Sequence, residues 1–182
     1  FQGLIARRGA GEPVAHLTGW RDFWTLALQV SAETLIPRPE TELLVELAVH
    51  LLPADRHCRI LELGTGSGAV AAALASERPA WSITVAERSA AALAVARRNF
   101  RRLRLPGVEA RHSDWYDGLD RETRFHLIVS NPPYVRARDP HLQHGDLRFE
   151  PQAALTPGPD GLEAIRQISR FAAAALLQDG WL

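Results

Sequence analysis

The stretch "RILELGTGSGAVAAALASE", residues 59–77, decides the fold. Its first part, "RILELG" (59–64), reads as a strand of a parallel sheet, and "AVAAALASE" (69–77) as a helix. Between them, Gly64, Gly66 and Gly68 make a turn that permits positive φ and lets a ligand approach the backbone. A tight strand-to-helix turn with no ligand remains the alternative.

Outward from this unit the pattern repeats. Strand "SITVAE" (82–87) precedes helix "AAALAVARRNFRRL" (90–103); strand "VEARHSD" (108–114) leads to a short irregular piece and then strand "FHLIVSN" (125–131). A loop to about residue 157 follows, then helix "GLEAIRQISRFAAAALLQ" (161–178), and the final "GWL" reads as a fifth strand just starting. Alternating strands and helices imply an α/β fold, a doubly wound, mostly parallel sheet with right-handed crossovers. On the amino side, "RPETELLVELAVHLLP" (38–53) is a helix with Pro39 near its start, Glu40 and Glu42 in its first turn and Pro53 as its stop. Residues 1–36 are expected to form a linker and β-hairpin element, and 37–182 the main domain. In that element "FWTLALQV" places Trp24, Leu26, Leu28 and Val30 on one face of a half-buried strand, with "HLTG" as hairpin partner turning near Thr18-Gly19.

With 182 residues, 46% hydrophobic and 23% charged, the chain is expected to be globular and soluble. Lys+Arg and Asp+Glu both number 21, which weakens a reading as a binder of long nucleic acid, because phosphate neutralisation needs a basic excess. The single Cys58 excludes an internal disulfide and suits a reducing compartment, so a cytoplasmic location is expected. No apolar run of about 18 residues suggests a membrane span, and no signal peptide is seen. The chain begins with Phe and holds no Met, so it is expected to be truncated at the N-terminus; the fold would also expect more chain after Leu182.

Gly64-x-Gly66-x-x-Ala69 satisfies the relaxed dinucleotide fingerprint, which nicotinamide cofactors and S-adenosylmethionine share. Glu87, ending the second strand of the domain, suits two ribose hydroxyls. Asp114 can accept from an adenine amino group, and Trp115 offers a flat face beside the ring. A solvated strand-end acid, a capping Asp and a core Trp are the structural alternatives. A sheet of order 3-2-1-4-5 makes strands 1 and 4 neighbours, so the glycine turn and Asn131, which tops strand 4, are expected to face one cleft.

Asn131 opens "NPPY", where Pro132 and Pro133 end both helix and ladder hydrogen bonding. The Asn131 amide oxygen and the Pro132 carbonyl can accept from a planar NH2, and Tyr134 can flank it. This pair would hold an amide or nucleobase and reject a carboxylate, which has no donors to offer. Hydride transfer has no evident use for such a grip. An amide nitrogen is a weak nucleophile, so holding it in line with a reactive methyl is the main catalytic lever.

"GEPVAHLTGWRDFW", "LIPRPETE", "ELGTGSG", "SDW", "SNPPYV" and "DPHLQHGDLRFEP" occur in this order. With them the chain resembles the HemK/PrmC family of protein-(glutamine-N5) methyltransferases, which act on peptide chain release factors. "NPPY" alone is shared with nucleobase amino-methyltransferases; together with "LIPRPETE" it is far more specific. The resemblance implies a class I S-adenosylmethionine-dependent methyltransferase fold with the cofactor on Gly64, Thr65, Gly66, Ser67 and Gly68. It also implies Glu87 on the ribose, Asp114 and Trp115 near the adenine, and Asn131 touching cofactor and substrate. Asn131, Pro132, Pro133 and Tyr134 would hold the substrate, with Asn131, Pro132 and Tyr134 catalytic. The substrate would be the glutamine of the Gly-Gly-Gln loop of a release factor. Glu62 and Glu87 stand where many members carry Asp, and the family's N-terminal helical domain and last strands are nearly all absent.

No metal is expected, since His141, His144 and Asp146 lack a further ligand at useful spacing. The basic run "RRNFRRLR" (97–104) is a solvated face or a docking patch for a negatively charged partner. No sequence-specific nucleic-acid contact and no membrane partner are expected. Two alternatives stay open: a nucleobase amino-methyltransferase acting on DNA or RNA, and a non-catalytic cofactor-binding fragment.

Overall fold

A computed structural model describes residues 1–182. The chain starts with two short helices, α1 (Gln2–Gly9) and α2 (Val14–Thr18), and a two-stranded hairpin of β1 (Trp20–Phe23) and β2 (Leu26–Gln29). A 3-10 turn over Pro39–Thr41 leads into α3 (Glu42–Leu51). The main unit then runs β3 (Arg59–Leu63), α4 (Ala69–Glu77), β4 (Ser82–Glu87), α5 (Ala90–Arg102), β5 (Val108–His112) and β6 (Phe125–Ser130). A long connection with two 3-10 turns and α6 (Gln152–Leu155) precedes α7 (Glu163–Ala175) and β7 (Leu176–Trp181). No helix is long and apolar enough to cross a membrane.

The five-stranded sheet has the order β5-β4-β3-β6-β7 with every pair parallel, which is the expected 3-2-1-4-5 arrangement. Both faces are covered, so the strands are mostly apolar on both sides. Ile60, Leu127 and Val129 join one core with α4, Val45, Trp81 and Phe100. Leu61, Leu63 and Ile128 face the other way, against Ile168 and Ala172 of α7. The run Ala69 to Ala75 in α4 is buried all round; its small side chains let the helix lie close to the sheet.

Three sequence expectations are corrected. "HLTG" is not a strand: Val14–Thr18 is helical, and Gly19 (φ 77) ends the helix with its N–H on the Ala15 carbonyl. The chain does turn at Thr18-Gly19, but as a helix cap. The hairpin turns instead at Trp24, whose positive φ of 56° carries no glycine signature. Tertiary contacts hold it: Trp24 N–H donates to Glu42 Oε1 at 2.8 Å and Trp24 Nε1–H to Glu77 Oε1 at 2.7 Å. The third correction is the last helix, which stops at Ala175 rather than Gln178. Leu176 pairs with Phe125, so sheet pairing overrides the helical preference of the Ala-Leu run.

The hairpin packs into the main core through Phe23 and Leu28, and Leu28 and Val30 keep the expected alternation. One buried side chain pins it to the glycine turn. Asn99 of α5, fully buried, accepts from Gln29 N–H at 2.8 Å and donates to the carbonyls of Gln29 at 2.9 Å and Ser67 at 2.8 Å.

Candidate active site

The glycine turn is built by its own backbone and two acids. Gly64 N–H reaches the Ala86 carbonyl at 2.8 Å, and Gly68 N–H closes on the Thr65 carbonyl at 2.8 Å. Gly64, Gly66 and Gly68 all have positive φ. At Gly68 a Cβ would stand 2.7 Å from the Phe100 ring, so this glycine serves close helix packing. At Gly66 a Cβ would meet nothing within 4 Å; the open side of the turn is where a ligand can come close.

Glu87 braces the turn. Its Oε2 accepts from Gly66 N–H at 2.9 Å and its Oε1 from Ser89 N–H at 2.8 Å, which leaves one lone pair on each oxygen for a further donor. Glu62 lies on the α4 face of β3, beneath the turn. Its Oε2 accepts from Thr65 Oγ1 at 2.6 Å and from Ala71 N–H at 3.1 Å. Burial pushes the Glu62 carboxyl up to about 8, against the two hydrogen bonds that lower it and with the nearby Glu87 charge raising it further. The native state therefore keeps a proton that the unfolded chain releases above about 4.5. This contribution to stability is fully present below that value and is lost as the pH climbs through about 8. Wild-type melting temperature should fall more steeply between pH 4.5 and 8 than that of Glu62→Gln, which keeps an acceptor oxygen but cannot ionise. Parallel curves would place the native carboxyl in its ordinary range.

Register brings the second half of the site alongside. Leu63 pairs with Ser130, so the next residues, Gly64 and Asn131, leave neighbouring strands together. Ser130 Oγ–H to the Leu63 carbonyl at 2.7 Å secures this edge. Asn131 Nδ2 donates to Thr41 Oγ1 at 3.2 Å. Trp115 adopts φ 48°, unusual for a bulky residue, and its carbonyl is held by Ser113 Oγ–H at 2.9 Å. Its ring edge lies 3.8 Å from where a Cβ on Gly64 would be. Asp114 is exposed and 3.9 Å from Arg88.

These elements enclose a cleft of ≈ 250 Å³ at the carboxyl ends of the strands, the usual ligand position in such sheets. Gly64, Thr65, Gly66, Ser67, Glu87, Asp114, Trp115, Asn131 and Pro133 line it. Three residues singled out from the sequence do not. Gly68 sits behind the turn under Phe100, Pro132 faces an apolar groove on the α3/α7 side, and Tyr134 stands 62% exposed. Sequence reasoning missed Thr41, Glu62 and the wall formed by Leu35, Pro37 and Arg38 opposite Pro151 and Ala154. The signal was present, since "LIPRPETE" and "DPHLQHGDLRFEP" were among the motifs of the resemblance without an assigned role. The structure gives them one: Arg38 forms an ion pair with Glu150, whose side chain is wholly buried, joining the two walls. Burial raises the Glu150 carboxyl, opposed by the Arg38 charge. In the long connection, His141 Nδ1 contacts Asp139 Oδ1 at 2.7 Å and His144 Nδ1 the Pro140 carbonyl at 2.7 Å.

Residues 40–154 match the family model described as methyltransferase small domain. The chain is 55% identical over 182 residues to the release factor glutamine methyltransferase of Pseudomonas aeruginosa, covering 100% of this chain and 65% of that protein. To the protein of the same description from Escherichia coli it is 50% identical over 179 residues, covering 98% of this chain and 64% of the other. The chain thus spans about 65% of the length of the curated relatives it matches. Among solved structures, a methyltransferase from Pyrococcus furiosus superposes with a TM-score of 0.60 at 20% identity, covering 99% of this chain and 76% of that one. A SAM-dependent methyltransferase from Agrobacterium tumefaciens gives a TM-score of 0.62 at 16% identity, covering 88% and 49%. Likeness at such identities speaks for the fold alone.

Proposed function

The chain belongs to the methyltransferase small domain family, and on that premise we propose that it carries a methyl group from S-adenosylmethionine to the side-chain amide nitrogen of the glutamine in the Gly-Gly-Gln motif of peptide chain release factors. The observation that carries this reading is the register that sets Asn131 beside the glycine turn, so that Asn131, Gly64 and Gly66 line one cleft. The names borne by the relatives support a release factor glutamine as the acceptor.

The residues fit the cofactor. The open side of Gly66 and the free lone pairs of Glu87 suit a ribose, and Trp115 and Asp114 border the same cleft and suit an adenine. When bound, the cofactor supplies an electrophilic methyl on a positively charged sulfur. Asn131 Oδ1 accepts one amide hydrogen in the cleft and so holds the nitrogen toward that methyl; Pro132, whose ring faces the α3/α7 groove, would contribute only its backbone carbonyl to the second. Tyr134, exposed and next in sequence to the cleft-lining Pro133, would flank the substrate. Transfer would exchange the cofactor's C–S bond for an N–C bond, the C–S electron pair staying with sulfur, and the nitrogen, acidified by the new bond, would give its proton to solvent at the cleft mouth. Rate enhancement comes chiefly from orientation in a water-poor cleft. The location that goes with this substrate is the cytoplasm.

Methyl transfer from labelled cofactor should appear on a purified release factor and be absent from DNA and RNA. Label on nucleic acid instead would overturn the substrate, and cofactor binding without transfer to any acceptor would leave a binding fragment.

A further inference from the structure

We infer that Thr41 is a positioning residue for Asn131: by accepting from Asn131 Nδ2 it turns Oδ1 toward the acceptor nitrogen's place in the cleft. The inference rests on the methyl-transfer reading above. The contact measures 3.2 Å and joins residues 90 positions apart, both lining the cleft.

An asparagine amide is nearly symmetric in shape but opposite in hydrogen bonding, donating at one end and accepting at the other. Its last torsion is soft and roughly twofold. Left alone, the side chain would also present its NH2 to the substrate NH2, donor against donor. A partner that occupies Nδ2 removes that orientation. The Thr41 hydroxyl can also donate, but donation would consume Oδ1, the acceptor the reaction needs; the accepting arrangement is the productive one.

Thr41 is itself well held. It closes the 3-10 turn begun by Pro39, with its N–H on the Arg38 carbonyl at 3.0 Å. Arg38 is anchored in turn by the buried Glu150. A β-branched side chain adds restricted χ1. The pair also has a consequence for specificity. With Oδ1 facing the cleft, a glutamine amide is accepted, while a glutamate carboxylate meets an acceptor and is left unpaired.

Two readouts test this. First, the Asn131 side-chain NH2 resonance, identified by its loss in Asn131→Ala, should shift in Thr41→Val and return near its wild-type position in Thr41→Ser. Second, single-turnover transfer in Thr41→Val should slow about tenfold to a hundredfold, as expected for a misoriented acceptor group, with cofactor affinity within about twofold. Thr41→Ser should recover to within about threefold of wild type, and the Thr41→Val/Asn131→Ala double variant should be about as slow as Asn131→Ala alone, since the two act as a unit. Wild-type transfer with an unslowed Thr41→Val overturns the positioning role and leaves the function intact. Absent transfer in the wild type overturns the function; the resonance then decides Thr41 alone, and an unmoved signal in Thr41→Val overturns its role.

Discussion

Asn131→Ala should slow the chemical step by roughly a hundredfold to a thousandfold, equivalent to ~3–4 kcal/mol of lost transition-state stabilisation. On the proposed reading, the substitution removes one of the two acceptors for a weakly nucleophilic nitrogen. Cofactor affinity should fall by no more than about tenfold, because the glycine turn and Glu87 are braced by their own hydrogen bonds and do not depend on Asn131. Asn131→Asp should lie between Ala and wild type. It presents an acceptor oxygen whichever way it is turned, but it loses the Nδ2–H bond to Thr41 Oγ1 and brings a negative charge into the cleft. Single-turnover rates at saturating cofactor decide the matter. A near-normal rate in the Ala variant would reduce the end of β6 to a turn.

The second large effect is on stability. Asn99→Ala should cost ~3–4 kcal/mol, since it leaves three polar groups of the hairpin and glycine turn without partners, at about 1–3 kcal/mol each before water reaches the outer ones. Those groups are Gln29 N–H, the Gln29 carbonyl and the buried Ser67 carbonyl. Because Ser67 lies in the turn, cofactor binding should weaken along with folding. Urea unfolding at constant slope checks the first part and calorimetry the second. A loss under about 1 kcal/mol would mean that the hairpin is held by Phe23 and Leu28 alone and that water fills the vacated site.

The main architecture was legible because its signals are local. The strands around Ile60, Ile83 and Leu127 are rich in apolar and β-branched residues, and the turn glycines and Pro39 punctuate the chain where the backbone demands it. Handedness and short connections then leave few ways to order the sheet. Residue chemistry likewise marked Gly66, Glu87 and Asn131 before any contact was known. What the sequence could not contain was pairing over long separations. The turn at Trp24 exists because Glu42 and Glu77 arrive from elsewhere to bind it, so no local rule marks it. The end of α7 was decided by Phe125, which claims Leu176 for the sheet. Gly68 reads like its neighbours in the motif, yet Phe100 makes it a packing glycine rather than a cradle. Thr41 and Arg38 stood in a motif without a role until folding laid them against Asn131 and Glu150, 90 and 112 positions away. Periodicity and turn chemistry belong to neighbouring residues and survive in one dimension; a hydrogen bond between distant side chains is fixed only when the packed core brings its two ends within 3 Å or so.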